Sequence, residues 1–157
     1  MTLARHMTRR GTLGLAISLA GLPAGHWLIR PTVAATSPIV RVWKDPGCAC
    51  CNGWIAHMRQ SGFSVTVHDT HDLDAVKQTR GVPEALQSCH TAVVGDYVIE
   101  GHVPASDIER LLVERPPAKG LAVPGMPQSA PGMDQPGVPY TVVLFGAADG
   151  DRPYAQH

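Results

Sequence analysis

A strand-like run, a tight turn, three cysteines and an amphipathic helix follow one another between residues 39 and 60. The run over residues 39–43 is β-branched and alternates apolar with polar positions, which predicts a strand that ends at Asp-Pro-Gly. Apolar residues then recur at helical spacing and predict a helix over residues 51–60. The cysteines are therefore expected in the loop between the carboxyl end of a strand and the amino end of a helix.

The following residues continue this alternation of strands and helices. Their patterns predict a strand over 63–67, a helix capped by Asp72 or Asp74 and ended by Gly81, a helical turn over 83–86, a hairpin of 91–94 and 97–100, and a helix opened by Pro104. The order strand, cysteine loop, helix, strand, helix, hairpin, helix predicts an α/β (α+β) domain. Its expected fold is thioredoxin-like, a small mixed sheet flanked by helices.

The composition changes after Glu114. Residues 116–139 contain seven of the fourteen prolines of the chain, and such a segment predicts a long Pro/Gly/Met-rich loop or arm rather than a helix or a central strand. A β-branched run over residues 141–145 predicts one last strand. The arm is therefore expected to return to the domain.

The first 35 residues have the composition of an export signal. They contain four arginines and no acidic residue, and an apolar run over residues 11–29 follows the pair Arg9-Arg10. The paired arginines resemble a twin-arginine signal, while glycine and proline in the apolar run argue against a membrane-spanning helix. We predict a signal peptide over 1–35, a periplasmic domain over 36–157, and membrane contact only through the signal before cleavage. An uncleaved anchor is the alternative.

The rest of the chain is mildly acidic. The 13 basic and 13 acidic residues of the whole chain cancel, but four of the basic residues belong to the signal segment. No basic stripe is visible in the sequence, so nucleic acid is excluded as an expected partner.

Three cysteines within four positions, Cys48, Cys50 and Cys51, suit a metal ion better than a structural bridge. A helix amino terminus favours thiolates, and adjacent Cys50 and Cys51 cannot bridge each other without strain. Soft sulfur ligands select soft ions, so Cu(I) is predicted, with zinc as the alternative. Two other interpretations stay open: a thiol–disulfide oxidoreductase whose catalytic pair is Cys48 and Cys51, and an envelope scaffold with two structural disulfides.

Cys89 and His90 precede the first hairpin strand, where thioredoxins place a cis-proline beside the active-site cysteines. Cys89 is therefore expected to face the cysteine loop and to supply a fourth sulfur ligand, and His90 is a candidate outer-sphere or alternative metal ligand. The alternative is that Cys89 is a small buried hydrophobe and His90 a hydrogen-bonded polar residue. His102, at the exit of the hairpin, is either a further metal ligand or a turn residue.

Met126 and Met133 belong to two Pro-Gly-Met triplets seven residues apart. An exposed methionine in such an arm has little packing to do, and a thioether binds Cu(I) but is nearly indifferent to Zn(II). Both methionines are therefore candidate metal ligands on a mobile lid and favour copper. Alternatively, they anchor the loop as hydrophobes.

Four motifs together resemble the CopG-type periplasmic copper-resistance proteins, domain-of-unknown-function family 411. They are VWKDPGCACCNGW at 42–54, SCHTA at 88–92, EGHVP at 100–104 and GLAVPGMP at 120–127. The resemblance spans about residues 39–155 and implies a thioredoxin-like fold, bound copper and copper-linked redox chemistry in metal resistance. We also expect other periplasmic copper-handling proteins as partners. By motif, it implies the sulfur ligands Cys48, Cys50, Cys51 and Cys89, with Met126 as a neighbour.

Overall fold

The computed structural model describes residues 37–133, 135 and 137–157. The predicted signal peptide, residues 1–35, lies outside the described residues. No helix in the described part is long and apolar enough to cross a membrane. The elements are β1 (Ile39–Lys44), α1 (Ala49–Gln60), β2 (Ser64–Asp69), α2 (Leu73–Arg80), a 3₁₀ turn (Glu84–Leu86), β3 (His90–Val94), β4 (Tyr97–Glu100), α3 (Ala105–Glu114), β5 (Gly120–Ala122), β6 (Thr141–Phe145) and β7 (Arg152–Gln156).

One mixed sheet contains these seven strands in the order β2-β1-β3-β4-β5-β6-β7. β1 pairs in parallel with β2, which requires the crossover that α1 supplies, and it pairs antiparallel with β3. β3 and β4 form the antiparallel hairpin. The predicted α/β (α+β) fold is confirmed, and its first four strands have the predicted thioredoxin-like order.

The sheet is wider than the sequence analysis predicted. A loop was expected over all of residues 116–139, whereas β5 forms there and lies between β4 and β6 as a central strand. Its pairing is close, because a Cβ at Gly120 would overlap the backbone of Val98. β7 was also missed. It contains Pro153, which is tolerated because β7 is an edge strand.

The core forms where the helices pack on the sheet. Trp54, Ile55 and Met58 of α1 are at most 3% exposed, which confirms the predicted apolar face of that helix. The indole N–H of Trp54 donates to the carbonyl oxygen of Val103 at 2.8 Å, so the buried nitrogen is satisfied. α1 is thereby held firmly with its amino end at the carboxyl end of β1.

Local signals define the ends of α2. The Asp72 carboxylate accepts a hydrogen bond from the amide of Ala75 at 3.1 Å, and Gly81 ends the helix with φ of 65°. Both ends agree with the sequence prediction. The helix holds Lys77 against β3 and β4 with only 4% of its surface exposed.

Candidate metal centre

The cysteine loop lies at the junction of β1 and α1. Cys48 is the N-cap residue of α1, and Cys50 and Cys51 belong to its first turn, which contains no acidic residue. Unpaired backbone N–H groups at a helix amino terminus favour negative charge on nearby sulfur. Cys51 is fully buried, whereas Cys48 and Cys50 are half-buried. The loop therefore presents the sulfur atoms of Cys48 and Cys50 near the protein surface, at the amino end of a helix.

Cys48 and Cys51 form a disulfide, while Cys50 and Cys89 are free thiols. The two bridged residues are separated by 5.4 Å between Cα atoms, a separation typical of disulfides. This oxidised state differs from the expected three free thiolates. It also differs from the two-disulfide scaffold, since the described residues contain one bridge.

Cys89 folds back onto the loop, as the sequence analysis predicted. Its Sγ lies 3.9 Å from Sγ of Cys50, which in turn lies 3.5 Å from Sγ of Cys48. Sγ of Cys51 is 3.7 Å from the carbonyl oxygen of Cys89. All four sulfur atoms lie within 4.8 Å of one another. The structure thus gathers every cysteine of the chain at one point.

Two buried histidines border Cys89. Nε2 of His102 lies 3.1 Å from Sγ of Cys89, and Nδ1 of His90 lies 3.4 Å from it. Cys89, His90 and His102 form a second potential metal-ligating group, whose donor atoms also lie within 4.8 Å of one another. Cys89 is therefore common to the sulfur group and to the nitrogen-containing group.

His90 is held as a neutral imidazole. Burial, together with the nearby side chains of His102 and Lys77, keeps the pKa of His90 well below its ordinary value. Its ring packs on Trp54 with 4.4 Å between centroids, and its Nε2 has no hydrogen-bond partner among the described residues. A buried, neutral imidazole with an unsatisfied nitrogen fits a metal-binding environment.

Cys89 is protonated in the metal-free protein. Burial, together with the neighbouring Cys50 thiol, raises the pKa of Cys89 to about 12. A metal ion that binds this sulfur must therefore displace a proton.

A buried ion pair supports the segment that carries Cys89. Nζ of Lys77 lies 2.5 Å from Oε1 of Glu100. The Glu100 carboxylate also accepts hydrogen bonds from the amide of Ser88 at 2.7 Å and from the hydroxyl of Thr91 at 2.6 Å. These bonds hold the Ser88 amide and the Thr91 side chain, on either side of Cys89 in the sequence.

Lys77 and Glu100 were not predicted from the sequence as part of this environment. Glu100 is the first residue of the EGHVP motif, and this motif was the sequence signal from which its role could have been found. Nothing in the spacing of α2 indicated that Lys77 would be buried, because its partner lies 23 residues away.

The arm reaches the site through its backbone. The carbonyl oxygen of Pro131 lies 2.7 Å from Nδ1 of His102. Met126 is 54% exposed, as expected for an arm methionine, whereas Met133 is half-buried in the turn that follows Ala130. Both methionines are thus carried by a segment that touches the histidine side of the site.

Comparisons with known proteins identify relatives of this chain. The profile of the family described as "Protein of unknown function, DUF411" matches residues 86–133. A search of curated proteins found no match. Two solved structures described as copper resistance protein copG, Form 2 and Form 1, are each 41% identical and cover 78% of this chain. The alignments span 99% and 98% of those chains, with TM-scores of 0.73 and 0.72.

The similarity extends over nearly the whole of both relatives and over more than two thirds of this chain. Identity of 41% over nearly the full length of these structures is far above what a shared fold alone would require. The chain belongs to the CopG family of copper resistance proteins.

Proposed function

We propose that this protein binds copper as Cu(I) in the periplasm through Cys48, Cys50, Cys51 and Cys89, and thereby serves copper resistance by sequestering the ion or handling its redox state. The observation that carries the proposal is the approach of four sulfur atoms, from segments 38 residues apart, to within 4.8 Å. The name of the copG relatives supports copper, and the composition of residues 1–35 supports export.

The chemistry of the ligands favours a soft ion. Thiolates select Cu(I) or Zn(II) over harder cations. We assign His90 and His102 as nitrogen ligands beside Cys89, and Met126 and Met133 as thioethers on the arm that would favour copper over zinc. Other copper-handling proteins of the periplasm would deliver or accept the ion.

The oxidation state of the loop controls how many sulfur ligands are present. In the bridged state, Cys50 and Cys89 are the available thiols. Reduction of the Cys48–Cys51 bridge by a dithiol breaks the S–S bond, takes up two electrons and two protons, and returns two thiols, while the dithiol becomes a disulfide. The complete set of four sulfur ligands thus belongs to the reduced protein.

Anaerobic titration of the reduced protein with Cu(I), in competition with a chromogenic chelator, tests this assignment. We expect tight binding that Cys50→Ser weakens by more than about 100-fold, beyond the usual effect of losing an outer-sphere contact. Ala49→Ser is the matched control, because it adds a hydroxyl group in the same loop at an exposed position and leaves all sulfurs. Absence of tight binding, or binding that Cys50→Ser leaves unchanged, contradicts the proposal. Zn(II) that displaced Cu(I) would favour the zinc alternative.

A second candidate function is thiol–disulfide exchange, which the Cys48–Cys51 bridge favours. Cys48 is the accessible member of the pair and Cys51 is fully buried, so an incoming thiolate would attack the Cys48 sulfur and Cys51 would leave as the thiolate. This function predicts reductase activity that survives copper chelation and Cys50→Ser but not Cys48→Ser. Activity lost on chelation would exclude it.

A further inference from the structure

We propose that the arm positions a metal ligand: the Pro131 carbonyl, held in place by a backbone contact between Gly53 and Gly132, sets His102 in the tautomer whose Nε2 lone pair faces Cys89. The inference rests on the proposed function, in which Cys89 binds the metal. Beyond that function, it assigns a positioning role to the Pro131 carbonyl, which belongs to a part of the chain distant from the cysteines. We call residues 124–133 the strap.

The hydrogen bond to Pro131 determines where the proton of His102 lies. A backbone carbonyl can only accept, so Nδ1 of His102 carries the hydrogen across the 2.7 Å contact. In the uncharged ring, Nε2 is then the acceptor, and this atom lies 3.1 Å from Sγ of Cys89. The Cys89 thiol donates to it in the metal-free protein, and a metal bound at the sulfur would meet a nitrogen lone pair at the same place.

A contact between two glycines holds the strap on α1. A Cβ at Gly53 would lie 2.5 Å from the carbonyl oxygen of Gly132 and 2.9 Å from its Cα. Gly132 has φ of +86°, and a Cβ there would overlap the amide nitrogen of Trp54. Glycine inside a helix costs about 1 kcal/mol relative to alanine. Gly53 is therefore unfavourable for α1 alone, and the close approach of the strap explains its presence.

The other end of the strap is tied to the segment that carries Cys89. The hydroxyl of Ser88 donates to the carbonyl oxygen of Gly125, and the amide of Gly125 donates to the carbonyl oxygen of Gln87 at 3.3 Å. Ala130, next to Pro131, is fully buried. Because the strap is fastened at both ends, the position of the Pro131 carbonyl depends on α1 and on the Cys89 segment together.

The tautomer matters for metal binding. Without the carbonyl, an uncharged imidazole also populates the form with hydrogen on Nε2, which presents an N–H group to the sulfur and cannot bind a metal there. A hydrogen bond from the second ring nitrogen of a metal-binding histidine fixes the tautomer, and its loss typically weakens metal affinity by about 10–100-fold.

Nitrogen NMR of the metal-free, reduced protein with ¹⁵N-labelled histidine tests the inference directly, because the two ring nitrogens have different shifts in each tautomer. We expect hydrogen on Nδ1 of His102 in the wild type and a mixture of tautomers in Gly53→Ala. Alanine favours the helix, so α1 should persist while the added methyl group displaces the strap. Asn52→Ala is the matched control, since Asn52 is exposed on the same turn and its replacement leaves the glycine contact intact.

Cu(I) affinity provides the second measurement. Gly53→Ala is expected to lower the affinity by about 10–100-fold. In a His102→Ala background the same substitution should cause no further loss, because the strap acts through His102. An equal loss in that background would overturn the inference, as would Gly53→Ala with unchanged tautomer and affinity.

The tautomer of His102 in the wild-type protein still tests the inference if the Gly53→Ala variant does not fold. Hydrogen on Nε2 of His102 in a protein that binds Cu(I) overturns this inference and leaves the proposed function standing. Hydrogen on Nδ1 in a protein that binds no Cu(I) rejects the proposed function, while supporting the positioning of His102 by the strap.

Discussion

Sγ of Cys89 lies 3.1 Å from Nε2 of His102 and 3.9 Å from Sγ of Cys50. One side chain therefore joins the cysteine loop at the start of α1 to the buried histidines beside the hairpin. Because Cys89 belongs to both groups of potential ligands, its loss would separate them.

Cys89→Ser should lower the Cu(I) affinity of the reduced protein by more than about 100-fold, because it removes a ligand common to both groups rather than an outer-sphere contact. Serine is nearly the same size, so the metal-free fold should persist, which circular dichroism checks. Chelator competition measures the affinity. An affinity equal to that of the wild type would show that Cys89 is not a ligand.

Copper binding should release a proton from Cys89. Because burial raises the pKa of this thiol to about 12, it is protonated across the neutral range, and affinity should rise by about tenfold per pH unit for each proton displaced. His90, whose pKa lies well below its ordinary value, should release none. Proton release on Cu(I) addition can be followed in weakly buffered solution at pH 7–8. Cys89→Ser should release one proton fewer, and an unchanged number would be evidence against this assignment.

The oxidised protein should contain two reactive thiols and the reduced protein four. In the structure Cys48 and Cys51 are joined, and Cys50 and Cys89 are free and half-buried. Maleimide labelling of the denatured protein, before and after reduction, followed by mass spectrometry, counts the thiols and locates the bridge. A count of zero before reduction would instead indicate the two-disulfide scaffold.

Lys77→Met should lower the free energy of unfolding by about 3–5 kcal/mol, because it leaves the Glu100 carboxylate buried without its cation. Lys77 is 4% exposed and Glu100 is fully buried. Urea unfolding measures the change. Lys119→Met is the matched control: Lys119 is exposed, and its replacement should change stability by at most about 0.5 kcal/mol.

The defect of Lys77→Met should depend on pH. Burial already raises the pKa of Glu100 while Lys77 opposes the shift, so removing the lysine raises this pKa further. Glu100 then binds a proton more tightly in the folded variant than in the unfolded chain. This difference contributes stability below the ordinary glutamate pKa, and the contribution is lost as the pH rises through the pKa of Glu100 in the folded variant. The deficit relative to wild type should therefore be smaller at pH 4 than at pH 8. A deficit independent of pH would show that lost packing, not the unpaired carboxylate, is its cause.

Interactions between neighbouring residues made several elements predictable from the amino-acid sequence. The cap at Asp72, the glycine at the end of α2 and the Gly95-Asp96 turn of the hairpin are local interactions, and Gly95 has φ of 56° as such a turn requires. The cysteine loop between β1 and α1 followed from periodicity on either side of it. The motifs in these elements also sufficed to suggest the family.

Which of these residues come into contact depends on the packing of the folded chain. Cys50 and Cys89 are 39 residues apart in the chain and His102 and Pro131 are 29 apart, and no periodicity in the sequence encodes contacts at such separations. From the sequence, His102 was equally a ligand or a turn residue, and only the fold places its Nε2 3.1 Å from Sγ of Cys89. β5 could not be predicted from its proline-rich surroundings, because its three residues form a strand only where β4 and β6 supply hydrogen-bond partners on both sides. The physical reason is common to all three cases: pairing between distant segments depends on how the whole sheet and its helices pack.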